Sequence, residues 1–172
     1  MTKKKTVVLA VTIPMAVILI ALLCLIWIFG IPIFIVFIDN YQYRGWSKLD
    51  FCEYQWEITL PKDNVTIEYN FSNRGGFHGD GTEYTVCKYS ARPNEFLENF
   101  KKDVNGKFKE KYNRILPMMK SGNRRNEYLD ESKLFSPDDD LLWQSKLRNS
   151  CSTLLLAYDE STDTLYIIED FI

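Results

Sequence analysis

A chain of 172 residues has room for one ordinary domain, or for a small domain with an anchor. Its 21 basic and 23 acidic residues leave a formal charge of −2, and it holds a single histidine. That balance excludes a polyanion-binding protein of the usual basic kind, and the lone histidine excludes a site built on several imidazoles.

The charge is unevenly spread. Residues 6–38 contain no charged side chain, and Lys3, Lys4 and Lys5 stand directly before them. About 20 apolar residues cross a hydrocarbon core as helix, and flanking lysines favour a cytoplasmic N-terminus. The expectation is an uncleaved, single-pass signal anchor over residues 6–38, within a segment 1–38, with residues 39–172 as an extracytoplasmic domain in the cell envelope. A cleavable signal peptide is the alternative, but its apolar region is usually 7–15 residues long and ends in a small-x-small site. No A-x-A pattern follows here, and "ALL" before Cys24 lacks the small residue of a lipoprotein site. Pro14 and the "GIP" at residues 30–32 are the expected irregularities of the span, and Trp27 suits its outer end. Three of the basic residues precede the span, so the exported part carries 18 against 23 acidic ones, a net of −5. No nucleic-acid partner is expected, and the membrane through residues 6–38 and a protein at the cell envelope are the expected partners.

The exported part reads as follows in chain order. Residues 41–50, "YQYRGWSKLD", form a connector or short helix. "YQWEITL" at 54–60 alternates as a strand does, and Pro61-Lys62-Asp63-Asn64 is turn chemistry. "VTIEYNFS" at 65–72 has the clearest period of two, with Val65, Ile67, Tyr69 and Phe71 on one face. "TEYTVCKYS" at 82–90 is again strand-like, so the two form a hairpin with the glycine-rich residues 73–81 at its tip.

Pro93 then opens a helical stripe through Phe96, Phe100, Val104 and Phe108, which Asn105-Gly106 caps or interrupts, and the apolar face continues to Pro117. Residues 120–133 are polar and aperiodic. Ser136, Pro137 and Asp138 to Asp140 read as the capped start of another helix carrying Leu141, Leu142, Trp143 and Leu147. Two strands at about 153–158 and 164–169 close the chain, and "LLLAY", apolar on both faces, belongs inside the sheet. The fold class is α+β: an N-terminal transmembrane helix, then an antiparallel sheet of about five strands packed by two or three helices.

Chemistry concentrates in "RGGFHGDG", residues 74–81. Its candidate binding residues are Arg74, Gly75, Gly76, Phe77, His78 and Asp80, with His78 and Asp80 the candidates for catalysis. Three readings stand: a shaped structural loop, a ligand or partner contact, and a catalytic or metal site. No H-E-x-x-H, paired C-x-x-C, G-x-G-x-x-G or phosphate-loop pattern accompanies it, so no metal and no cofactor are expected. A Cys87–His78 dyad is opposed by the strand between them, on the order of 20 Å long. "PDDD" is better used as a helix cap than as a cation loop, which needs spread ligands and a glycine turn. Among Cys52, Cys87 and Cys151, one disulfide and one free thiol are expected, with three pairings open. Asn64 and Asn70 stand in glycosylation triplets that matter only in a eukaryotic secretory pathway.

"RGGFHGDG" before a strand and "LLLAYDESTDTLYIIED" near the end together resemble a group of small exported or membrane-anchored proteins of Gram-positive bacteria. Those have a GGFHGDG-type loop and a closing Tyr-Asp…Leu-Tyr hairpin. The likeness covers residues 39–172 in outline and is specific in these two stretches. It implies an envelope location and a shared architecture, and it carries no activity over to His78 or Asp80. The functional expectation is a membrane-anchored binding or interaction module at the cell envelope. The alternatives are an envelope hydrolase using the His78 loop and an immunity or accessory factor for a toxin or secretion system.

Overall fold

The structure is a computed structural model that describes residues 45–75, 80–121, 128–149 and 151–172. The chain divides into two compact units, Met1–Ser47 and Lys48–Ile172, and the second carries every helix and strand described. The expected span at residues 6–38 lies outside the described residues. Among the described residues no helix is long and apolar enough to cross a membrane.

The second unit is α+β. Its elements are α1 (Lys48–Trp56), β1 (Val65–Ser72), β2 (Gly81–Tyr89), α2 (Asn94–Leu97), β3 (Lys101–Lys102), α3 (Lys107–Ser121), a 3-10 turn (Glu131–Lys133), β4 (Leu141–Arg148), β5 (Ser152–Asp159) and β6 (Thr164–Phe171). Six strands make one antiparallel sheet in the order β1-β2-β6-β5-β4-β3. β5 and β6 lie inside it, as "LLLAY" leads one to expect. Strand alternation sends Tyr84, Leu155 and Ile168 to one face, where Phe108, Tyr112 and Ile115 of α3 cover them. It sends Cys87, Leu156 and Ile167 to the other, under Leu49, Cys52 and Trp56 of α1. Both faces are therefore dry, which a largely apolar β5 and β6 require.

Several elements differ from the sequence reading. Residues 54–56 end α1 and do not begin a strand. The apparent alternation fails because Tyr54 is 57% exposed while Trp56 is buried. Leu49, Cys52 and Trp56 instead recur at helical spacing. Glu57, at φ 48°, stops the helix, and Glu53 accepts the Leu60 amide through Oε1 at 2.6 Å.

In β1 the register slips between Ile67 and Tyr69, so Ile67 faces Cys87 but Tyr69 faces Val86. This bulge flips the strand. Val65 packs on the α1 side, whereas Tyr69 and Phe71 pack on the α3 side. The four alternating residues do not share one face.

The stripe from Phe96 to Phe108 is not one helix. α2 ends at Leu97, Lys101–Lys102 pairs with β4, and Val104 is 87% exposed. Gly106, at φ 67°, makes the turn into α3, where Asp103 accepts the Lys109 amide at 3.0 Å. α3 continues past Pro117 to Ser121, held by Met119, which is fully buried in the core.

The expected helix after Ser136 is strand β4. The capping bonds do form: Asp138 N donates to Ser136 Oγ at 3.3 Å, and Ser136 N donates to Asp139 Oδ2 at 3.0 Å. They close a turn, because β5 needs an antiparallel neighbour and finds one in eight consecutive pairs from Leu141 to Arg148.

Candidate functional site

The glycine-rich loop is described only at its base. Gly76, Phe77 and His78 lie outside the described residues. The ladder of β1 and β2 continues into the loop: Asn73 N donates to Thr82 O at 3.0 Å, and Gly75 N to Asp80 O at 3.1 Å. The Asn73 side chain is buried and makes three hydrogen bonds, to Thr82 and Met118. Its Oδ1 accepts from Thr82 N at 2.6 Å and Thr82 Oγ1 at 3.0 Å, and its Nδ2 donates to Met118 O of α3 at 2.9 Å. Gly81, at φ 135°, admits no side chain: a Cβ there would meet Arg74 Cα at 2.8 Å. Arg74 turns back onto the sheet. Its guanidinium lies 3.8 Å from the Phe171 ring centre and 3.4 Å from Glu83. Asp80 is exposed. Of the expected site residues, Arg74, Gly75 and Asp80 belong to the hairpin's base, where Gly75 and Asp80 meet through their backbones, while the Arg74 guanidinium is directed to Phe171 and Glu83 and the Asp80 residue is exposed.

A charged cluster that the sequence did not announce lies beneath that base. Glu169 of β6 is fully buried. It accepts from Lys48 Nζ at 2.6 Å and from the Trp56 indole N–H at 2.7 Å. Glu83, its cross-strand neighbour, is the second partner of Lys48. Burial by itself would lower the Lys48 ammonium, but Glu169 and then Glu83 outweigh it and raise its pKa. The cluster is neutralised and hydrogen-bonded, as a buried ion pair must be to persist, and it clamps α1 to β2 and β6. The available signal was a glutamate inside the apolar "YIIED" strand.

The three cysteines of this unit are free, and the expected disulfide is not formed. The register explains part of this. Cys87 faces Leu165, which faces Tyr158, and Cys151 stands seven residues from Tyr158, beyond the other end of β5. That is on the order of 20 Å of strand, far beyond disulfide reach. Burial pushes the Cys87 thiol up to about 12 and the Cys52 thiol higher still, so neither is a nucleophile at neutral pH. The acids of "PDDD" serve the β4 turn and pair with Lys109 and Lys102. Among the described residues no three His, Cys, Asp or Glu side chains are grouped as for a metal.

A separate concavity lies elsewhere. An open groove of about 770 Å³ runs between the 58–61 connector, α2 and the β4–β5 side of the sheet. Ile58, Pro61, Phe96 and Leu156 make its apolar lining, Thr59, Asn94, Asn99 and Gln144 supply polar groups, and Glu95 is the one charged side chain in the lining. Its residues come from four separate elements, so no motif could mark it in the sequence.

The class that this fold and these sites define is an α+β domain on an open antiparallel sheet, with a tightly packed base to the β1–β2 hairpin and a separate apolar groove. The chain matches no family model, no curated protein and no solved structure.

Proposed function

We propose that this chain is a single-pass anchored protein, with its N-terminus in the cytoplasm, whose extracytoplasmic domain binds a protein partner at the cell envelope. One observation carries the reading: the apolar groove beside α2 is open, largely uncharged and distinct from the glycine hairpin. The bonds of Asn73 and the close packing at Gly81 supply a structural reason for the glycine at position 81. Arg74 is committed to Glu83 and Phe171.

The test is affinity capture from membranes with the full chain, comparing Phe96→Asp in the groove with His78→Ala in the loop. Loss of the captured protein with Phe96→Asp and retention with His78→Ala is expected. The same partners captured by both variants would sink the groove reading. The hydrolase alternative instead predicts that His78→Ala abolishes turnover of an envelope substrate. The immunity alternative predicts that the captured protein is a toxin or secretion component.

A further inference from the structure

The groove borders an unfinished sheet edge. β3 pairs with β4 at two positions only, Lys101 with Trp143 and Lys102 with Leu142. β4 continues through residues 144–148, each paired with β5 on the inner side. Among the described residues no strand occupies the outer side of these five. Continued pairing of β3 would bring Asn99 opposite Ser145 and Leu97 opposite Leu147. Leu97 instead belongs to α2, and Asn99 lines the groove together with Gln144. The chain therefore splays away from β4, and the groove fills the gap. A strand edge with outward N–H and C=O groups is a template for another strand, and peptide recognition by strand addition uses it.

The two sheet edges differ in their protection. β1 is interrupted by its bulge and exposes Thr66, Glu68 and Asn70. The free half of β4 has an unbroken register and exposes Leu147 at 62%. Its two cations do not screen it, because each folds back toward α1: Lys146 donates to Glu57 O at 2.9 Å, and Arg148 to Gln55 O at 2.6 Å.

The neighbourhood is also basic, within an exported part of net charge −5. Lys101 and Lys111 lie 4.8 and 5.9 Å from the Trp143 ring centre, and Lys111 donates to Ser145 Oγ at 2.7 Å. Burial first, then Arg114 and Lys101, lower the Lys111 pKa, as cations crowded together do. The buried indole N–H of Trp143 has no acceptor among the described residues.

We propose that residues 144–148 of β4 form a docking edge that accepts an extended acidic segment of the partner protein as an added antiparallel strand. This rests on the partner-binding reading and specifies its mode. Backbone pairing would supply the affinity, the groove would take alternate apolar side chains, and Lys101 and Lys111 beside Trp143 would select carboxylates.

The test uses the full chain in detergent micelles and three synthetic octapeptides: valine alternating with glutamate, valine alternating with lysine, and the glutamate peptide N-methylated at alternate amides. Binding is followed by fluorescence anisotropy, and amide hydrogen exchange is followed at residues 144–148. The glutamate peptide should slow exchange there and bind at least tenfold more tightly than the lysine peptide. N-methylation and the double variant Lys101→Glu/Lys111→Glu should each weaken it at least tenfold. Absence of binding, equal affinity for the two charges, or binding without protection of residues 144–148 overturns strand addition. If Phe96→Asp still abolishes partner capture in that event, partner binding stands and only its mode is wrong.

Discussion

Asp170 of β6 shows how one side chain can work against its own fold. It is 1% exposed, and its Oδ2 finds no donor among the described residues. Burial raises its pKa, which Arg114 offsets only in part. An acid whose pKa is higher folded than unfolded binds protons more tightly in the folded state. Its ionised form therefore costs stability above the folded pKa, and that cost is relieved as pH falls toward the ordinary aspartate range, about 4. Asp170→Asn should accordingly raise stability by on the order of 1 kcal/mol at pH 7, with the gain shrinking at pH 4. Urea unfolding at the two pH values measures it. Destabilisation at both would mean that the Arg114 attraction outweighs burial. Lys48 shows the opposite balance, since two carboxylates there overcome the cost of burial.

At the level of elements, the base of the glycine hairpin is tightly constrained at Gly81. Gly81→Ala would force a Cβ against the Arg74 backbone at a φ that L side chains avoid, and should cost about 2 kcal/mol. A thermal melt tests this, and an unchanged midpoint would show that the hairpin base is looser than its packing implies. β1, β2, β5 and β6 were legible because alternation or a continuous apolar run marks a strand directly. α1 and β4 were not. Around Tyr54 and Trp56 both periods fit a short apolar segment, and burial of Leu49, Cys52 and Trp56 against the sheet chose the helical one. Around Ser136 the local capping bonds formed as read, but they fit a turn as well as a helix start, and pairing with β5 decided between the two. The face switch in β1 depends on one extra residue, Glu68, that no period reveals.

At the level of the whole molecule, the two core layers make a prediction about the thiols. In a Cys24→Ser chain at pH 8, maleimide should label exposed Cys151 quickly, and Cys52 and Cys87 only on unfolding. Fast native labelling of Cys52 would show that α1 does not stay packed on the sheet. The sequence by itself determined the acidic balance, the uncharged run of residues 6–38, the α+β class and the hairpin bearing Arg74 to Gly81. These are properties of composition and of short-range period, which a chain carries before it folds. Only tertiary structure decided that Glu169 would be buried beside Lys48, that Cys87 and Cys151 would stand too far apart to bridge, and that the groove would open beside β4. Each of those depends on strand order and register, which bring together residues tens of positions apart, and no local pattern encodes such a meeting.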